Sequence, residues 1–204
     1  MNAKQVLIRH AILIGLVGTV FASMADAPEG WQFANGVYTP TLESVTTYPL
    51  MNANESVYVG PGTNVTLSAP QSITNAKQGD SVSFVGSTLT STVNLIVKGN
   101  DSKICFDRAN VSTLGALEMN NSGGRPSGDV EILFVNGTTA SFAKGMFWQA
   151  AADPTAARIV ISNATVVCEN GVFNVTGVSR ENASVNDLEL IVDNQASLKT
   201  AGGT

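Results

Sequence analysis

Carboxylate and basic side chains are the residues of this sequence that could carry out hydrolysis or elimination. They occur as four close pairs: Asp101 with Lys103, Asp107 with Arg108, Asp129 with Glu131, and Asp187 with Glu189. Hydrolysis by two carboxylates needs them held across a cleft, and these pairs do not align at one position of the repeat described below. Solvated charges on strand faces are the commoner explanation. We therefore predict that the protein has no catalytic residue and is not an enzyme.

Histidine is nearly absent from the chain. The single copy, His10, lies in an N-terminal segment that we expect to be removed. Ser-His-Asp triads, Cys-His pairs and histidine-ligated metals are then excluded as ordinary mechanisms. The Gly-Gly-x-Gly-x-Asp repeat that binds calcium in another β-roll class is also missing. The sequence predicts no metal and no other cofactor.

The first 25 residues have the pattern of an export signal. Basic Lys4 and Arg9 precede an apolar run at 11–21, which is too short to span a bilayer. Ser23-Met24-Ala25 offers the spacing that a signal peptidase accepts, so Asp26 is the predicted N-terminus. An uncleaved anchor is the alternative. We expect a secreted or cell-surface protein, either extracellular or on a bacterial outer membrane.

Removal of this segment makes the chain more acidic. Lys4 and Arg9 leave with it, so nine Lys and Arg remain against 16 Asp and Glu, a net charge of −7. A field of that sign repels phosphate backbones and anionic lipid. We therefore expect no nucleic-acid binding and no membrane insertion by the mature domain.

The mature chain, about 180 residues, is long enough for one domain with a substantial core. Its composition is low in charge and rich in Gly, Ser, Thr, Asn and Val, which favours turns and strands. No segment has the amphipathic period of a good helix. The sequence predicts a single all-β domain.

A short phrase, an aliphatic strand that ends at asparagine, occurs four times. The copies are LIVKGN at 95–100, ILFVN at 132–136, IVISN at 159–163 and LIVDN at 190–194. Their asparagines are 36, 27 and 31 residues apart, a variable period that is typical of a solenoid with loops of different length. The phrase therefore predicts a right-handed parallel β-helix.

Alignment of the four copies on their asparagines gives apolar columns, which stacked coils would bury against one another. Four residues before the asparagine stand Ile96, Ile132, Ile159 and Leu190; three before it stand Val97, Leu133, Val160 and Ile191; four after it stand Ile104, Ala140, Val167 and Leu198. The position five before the asparagine is mostly charged and is predicted to face water. It holds Leu95, Glu131, Arg158 and Glu189.

The asparagines themselves, Asn100, Asn136, Asn163 and Asn194, are predicted corner residues. Asparagine tolerates the left-handed backbone conformation that a tight corner needs, and stacked side-chain amides can hydrogen-bond along a ladder. The alternative is that asparagine only ends each strand through its turn propensity.

Cys105 and Cys168 are an even pair in an exported protein, which favours a disulfide. Each lies five residues after its asparagine, however, so both are expected in one column with a coil between them. Two strand spacings would put their Cα atoms about 9.6 Å apart, beyond the reach of a disulfide. We predict that both thiols are unpaired.

The chain is expected to have a signal peptide at 1–25, an N-terminal cap or lead-in at 26–59, and β-helix coils at 60–204. A second strand follows the corners, as at 165–167 and 196–198. No cap is evident after the last strand. We therefore expect either a fragment of a longer rod, whose C-terminal end meets further coils or a neighbouring chain, or a very short relative of such a rod.

The segment IVISNATVV at 159–167 runs into NGVFN at 170–174. This pattern resembles the coils of autotransporter passenger domains and related bacterial β-helix adhesins, over residues 60–204. The resemblance implies a stiff, surface-exposed rod with a structural or adhesive role and no catalysis. Its partner would be a glycan or a host or cell-surface protein.

Two other functions stay open. β-Helices host polysaccharide lyases and hydrolases, so a carbohydrate-active enzyme is an alternative by analogy of fold. A carbohydrate-binding module would need exposed aromatic side chains, and Trp148, near Phe147 and Phe173, is the candidate contact residue. Asn-x-Ser/Thr triplets recur, as at Asn64 and Asn110, and we interpret them as by-products of the composition.

Overall fold

The computed structural model describes residues 27–52, 54–69, 71–74, 81–98, 101–120, 130–149, 157–170, 173–175 and 188–200, and these ranges contain strands, turns and loops without a helix. The first ten strands are β1 (Trp31–Ala34), β2 (Val37–Pro40), β3 (Ser44–Val45), β4 (Ser56–Val59), β5 (Asn64–Leu67), β6 (Gln71–Ser72), β7 (Ser81–Val85), β8 (Thr88–Ser91), β9 (Leu95–Lys98) and β10 (Ser102–Asp107). The next ten are β11 (Asn110–Thr113), β12 (Leu117–Asn120), β13 (Val130–Val135), β14 (Thr139–Phe142), β15 (Met146–Gln149), β16 (Ala157–Ser162), β17 (Thr165–Cys168), β18 (Phe173–Val175), β19 (Leu188–Asp193) and β20 (Ser197–Thr200).

The strands assemble into three sheets. Sheet A has the order β1-β2-β4-β7-β10-β13-β16-β19, sheet B the order β3-β5-β8-β11-β14-β17-β20, and sheet C the order β6-β9-β12-β15-β18. From β4 onward each strand pairs in parallel with the strand three places further along, whereas β1 and β2 pair antiparallel. The predicted all-β parallel solenoid is confirmed. Its handedness and the role of the N-terminal segment as a cap stay predictions.

Alternate residues of each strand lie in the core and stack on the residues of the next coil. Three phenylalanines of sheet A, Phe84, Phe106 and Phe134, are fully buried, and their ring centroids are 5.4 Å and 5.2 Å apart. Phe142 of sheet B meets Phe134 edge to face at 6.0 Å. Burial of each such side chain contributes about 1.5–3 kcal/mol. A second inward row of sheet A consists of Val57, Val82, Ile104, Ile132 and Ile159.

The first copy of the asparagine repeat lies on a different sheet from the other three. Strands β13, β16 and β19 belong to sheet A, whereas β9 pairs with β6 and β12 in sheet C. In that coil it is β10 that continues sheet A, with Ile104 paired to Ile132. The alignment on Asn100 is therefore wrong, because aliphatic strands occur on more than one side of each coil. Asn100 itself lies outside the described residues.

In the three copies on sheet A, the aliphatic residue three before the asparagine faces outward, whereas Val97 on sheet C is buried. Leu133, Val160 and Ile191 are partly exposed, and they alternate with inward residues such as Ile132 and Ile159. The prediction of two adjacent buried columns is wrong because neighbouring residues of a strand point to opposite sides of the sheet.

The corner between sheets A and B is turned by residues with a left-handed backbone. Asn136, Asn163 and Asn194 have φ angles of 57°, 47° and 47°. In two earlier coils the equivalent positions are Gly86, with φ of 56°, and Arg108, with φ of 52°. The corner therefore requires a left-handed backbone conformation, which residue types other than asparagine also adopt here.

Some corners contain a second left-handed residue. Gly137 (φ 89°) follows Asn136 and Gln195 (φ 64°) follows Asn194, whereas the corner at 163 has a single such residue. The strand after that corner is shifted by one position, so Ala140 pairs with Val166. The predicted column that contains Val167 is therefore wrong by one residue, and Val167 lies on the outward side.

Candidate functional site

From β5 to β17, sheet B presents an uncharged polar surface to solvent; the next residue of one outward column, Lys199 of β20, pairs with Val167 and is charged and exposed. Its strands from β5 to β17 repeat a triplet whose middle residue is buried and whose outer residues are exposed or partly exposed. Nine of the ten outward residues are Asn, Ser or Thr. We name these ten the hydroxyl face: Asn64, Thr66, Thr88, Thr90, Asn110, Ser112, Thr139, Ser141, Thr165 and Val167.

The hydroxyl face consists of two columns that stay in register from coil to coil. In the first column Asn64 pairs with Thr88, Thr88 with Asn110, and Asn110 with Thr139, which pairs with Thr165. The second column lies two residues further along each strand and follows the same register. Neighbouring rows are separated by the strand spacing, about 4.7–4.9 Å.

Several hydroxyls of this face are available to a ligand. Thr66, Thr90 and Ser112 are exposed, and their hydroxyls have no hydrogen-bond partner within the described part of the chain. Thr139 Oγ1 donates to Asn110 Oδ1 at 3.2 Å, which joins two coils within one column. The face therefore combines free donors and acceptors with backbone positions that are fixed by the sheet.

Sheet A has a different outward surface. Lys103 Nζ lies 2.6 Å from Glu131 Oε2, and Arg158 Nη1 lies 2.7 Å from Glu131 Oε1. Arg158 Nε also lies 2.9 Å from Glu189 Oε2. The hydrogen bond from Lys103, followed by that from Arg158, holds the pKa of Glu131 below its ordinary value despite partial burial. We name these four residues the charge ladder; their signs alternate from coil to coil.

An aliphatic row lies beside the charge ladder on the same surface. It consists of Leu133, Val160 and Ile191, which pair with one another in consecutive strands. All three side chains are partly exposed. The outward surface of sheet A therefore combines a narrow apolar row with the charged side chains of the ladder beside it.

The acidic and basic residues considered for catalysis are distributed between coils. Lys103 pairs with Glu131 of the next coil, and Asp107 accepts a hydrogen bond from Arg108 Nε at 3.0 Å. Asp129 and Asp187 lie outside the described residues. Within the described ranges, no group of three His, Cys, Asp or Glu is arranged to hold a metal ion.

The two cysteines are free and lie on different sheets. Cys105 is partly exposed on the outward side of β10 in sheet A, whereas Cys168 is fully buried in β17 of sheet B. The prediction that both cysteines lie in one column is therefore wrong. They are kept apart because they lie on different sheets. Burial raises the pKa of Cys168 to about 11. Burial, together with the charge of Asp107, raises the pKa of Cys105.

Trp148 lies on β15 in sheet C. Its backbone pairs with that of Met119, which is buried, and the backbone of Phe147 pairs with that of Glu118, which is partly exposed. In the preceding coil, the residue at the same register position as Trp148 therefore lies in the core. The side chains of Phe147 and Trp148 lie outside the description, so ligand contact by Trp148 stays a prediction.

The last described coil leaves apolar side chains uncovered. Leu190 and Val192 of β19 are 38 % and 45 % exposed, whereas Ile159 and Ile161, with which they pair, are fully buried. Strands β19 and β20 are the outermost strands of sheets A and B. Within the described part of the chain, this end of the solenoid therefore has exposed apolar side chains and strand edges without a partner strand.

Among the described residues, no helix has the length and apolar character needed to cross a membrane. No protein-family model, curated protein or solved structure matches this chain. Function is therefore inferred from the outward surfaces of the three-sheet solenoid and from the end of its last described coil.

Proposed function

We propose that this protein is a secreted or surface-exposed β-solenoid module with a structural or adhesive role and without catalytic activity. The observation that carries the proposal is the aliphatic row of sheet A, held in register beside the charge ladder. Such a surface can bind a cell-surface protein or a glycan with little loss of conformational entropy, because the backbone beneath it is already ordered.

The finer assignment follows from the resemblance to autotransporter passenger domains and bacterial β-helix adhesins. In this proposal residues 1–25 direct export, the coils wind in a right-handed sense, and the rod stands on the outer membrane or in the extracellular medium. The exposed Leu190 and Val192 support a further coil or a neighbouring chain at the end of the last coil.

Adhesion to cells tests the proposal. Mature protein from Asp26 to Thr204 should bind intact cells saturably, and Val160→Glu should weaken that binding by about ten-fold or more, since it puts a charge into the apolar contact surface. Thr90→Tyr, on sheet B, is the matched control and should bind as the unaltered protein does. Equal binding by both variants would exclude the aliphatic row as the contact surface.

An activity assay tests the absence of catalysis. The same protein is incubated with acidic and neutral polysaccharides in the presence of calcium, while new reducing ends and unsaturated products are followed. We expect no turnover. Turnover that disappears in Asp101→Asn or Asp107→Asn would make the protein a β-solenoid enzyme and overturn the proposal.

A further inference from the structure

The hydroxyl face is periodic in two directions. Along the solenoid, rows repeat at about 4.7–4.9 Å, and along each strand the two columns are about 6.6–6.8 Å apart, twice the rise per residue. From β5 to β17, consecutive residues of each strand pair with consecutive residues of the next strand, without a bulge. The face is therefore a small two-dimensional lattice of short polar side chains.

The chemistry of this lattice is uniform. Hydroxyl and amide groups both donate and accept hydrogen bonds, as water does. From β5 to β17 its two columns contain no ionised side chain, although the whole chain has a net charge of −5. A charged group keeps a strongly held hydration shell that a neutral surface cannot replace, so a face without charges is suited to a neutral, water-like ligand.

We propose that the hydroxyl face binds the surface of ice. Ice is a neutral lattice of donors and acceptors with repeats of the same order as those of the face in both directions. Thr66, Thr90 and Ser112 present exposed hydroxyls without a hydrogen-bond partner among the described residues, so they can occupy positions of the lattice. Methyl groups of threonine and of Val167 fill the space between the hydroxyls and order water beside them.

Periodicity in two directions distinguishes ice from a soluble polysaccharide. A single glycan chain is periodic along its own length and would use one column, whereas a crystal surface engages every row at once. Glycan sites also rely on aromatic platforms, and the hydroxyl face contains none of them. Each hydroxyl contact is weak, but the contacts are held on one rigid sheet. Once the first rows have bound, the remaining rows are already positioned against the ice lattice.

The test measures uptake of mature protein from Asp26 to Thr204 into slowly growing ice, with thermal hysteresis and crystal habit as further readouts. We expect enrichment in the ice fraction, and a loss of about ten-fold or more in Thr90→Tyr, because a bulky ring in the middle of the face prevents neighbouring rows from reaching the lattice. Ser83→Tyr changes an outward residue of sheet A in the same coil and should leave uptake unchanged. Circular dichroism establishes that both variants are folded.

Three outcomes would overturn the proposal: exclusion of the unaltered protein from ice, equal loss of uptake in both variants, or loss in Thr90→Tyr of binding to an insoluble polysaccharide without any ice uptake. The last result would reassign the face to a glycan. Cell adhesion is measured in parallel with Val160→Glu, which should retain ice uptake. Failure of ice binding and failure of adhesion are therefore distinguishable.

Discussion

Ile159 and Val160 are adjacent aliphatic residues with different surroundings. Ile159 is fully buried between Ile132 and Leu190 of the neighbouring coils, whereas Val160 points outward and is partly exposed. We predict that Ile159→Ala lowers the free energy of unfolding by about 2–5 kcal/mol, because it removes buried methyl groups and leaves a cavity. Val160→Ala should cost about 1 kcal/mol or less.

Urea unfolding of the two variants, followed by circular dichroism, checks this difference. Both substitutions produce alanine from an aliphatic residue in the same strand, so strand propensity changes little between them. Equal losses of stability would contradict the predicted difference in burial, and a larger loss in Val160→Ala would show that Val160 faces the core.

The two cysteines should differ in reactivity, since the thiolate is the reactive form. Burial raises the pKa of Cys168 to about 11, so little thiolate exists at neutral pH and the sulfur is inaccessible. Cys105 is partly exposed, and its pKa is also raised. We predict that iodoacetamide at pH 8 labels Cys105 more slowly than a free thiol and labels Cys168 only when the solenoid opens.

Mass spectrometry of labelled peptides, with protein in denaturant as the control, measures both rates. Labelling of Cys168 at the rate of Cys105 in the native protein would mean that sheet B is not closed over this sulfur. A disulfide between the two would contradict the placement of the cysteines on different sheets.

Corner residues show how far residue type predicts structure. The left-handed conformation of Asn136, Asn163 and Asn194 agrees with the known tolerance of asparagine. Arg108 has the same conformation and carries no such signal in its type. The side chains also differ from an amide ladder: Asn136 Nδ2 donates to Asp107 Oδ1 at 3.1 Å, and Asn194 donates to a serine hydroxyl before the preceding corner.

At the scale of the strand, the charge ladder links β10, β13, β16 and β19. Glu131 receives hydrogen bonds from Lys103 and Arg158, and its pKa lies below the ordinary value of 4.5. Because the folded pKa is lowered, the stabilisation is present above about pH 4.5 and is lost as the pH falls through the folded pKa. We predict that Glu131→Gln lowers stability at pH 7 by about 1 kcal/mol or less, since the pairs are exposed to solvent.

Thermal unfolding between pH 7 and pH 3, with and without 1 M salt, checks this prediction. The difference between Glu131→Gln and the unaltered protein should shrink below pH 4.5 and shrink again in high salt, which screens exposed charges. A difference that grows in acid would mean that folding raises the pKa of Glu131 and does not lower it. Asp193→Asn, at the end of β19 and outside the ladder, is the control.

The register of whole strands is harder to predict than their existence. The apolar alternation of 130–135 and 157–162 predicts strands correctly, since their inward rows must match. The similar phrase at 95–98 lies on sheet C, because local apolar character does not identify one of three sheets. The corner at 163 is one residue shorter than the corner at 136, so Val166, and not Val167, pairs with Ala140. No local sequence pattern predicts this difference in corner length.

The hydroxyl face was detectable in the sequence, yet the asparagine repeat did not point to it. Its signal is a polar-apolar-polar triplet that recurs at 64–66, 88–90, 110–112 and 139–141, with Val167 in place of the last polar residue at 165–167. Each triplet alone is ordinary strand composition. Only the pairing of β5, β8, β11, β14 and β17 shows that the outer residues form one surface.

At the scale of the whole molecule, stability is distributed along the solenoid axis. Each coil contacts only its two neighbours, so a coil in the middle gains two interfaces and a coil at an end gains one. The described part of the last coil shows the effect of a missing interface: Leu190 and Val192 are 38 % and 45 % exposed, whereas Ile159 and Ile161 are fully buried. Among the described strands, β19 and β20 have a neighbour on one side of their sheets only.

We therefore predict that amide hydrogen exchange is graded along the chain. Amides of β13, β14 and β16 should exchange slowest, and those of β19 and β20 about ten-fold faster or more, because the terminal coil can open without disrupting the coils before it. Exchange of the mature protein, followed by peptide mass spectrometry, measures the gradient, and Leu190→Ala should accelerate β19 and β20 while leaving β13 unchanged. Uniform protection in every coil would mean that the last coil is covered or that the solenoid opens only as a whole, and either result would contradict the nearest-neighbour description.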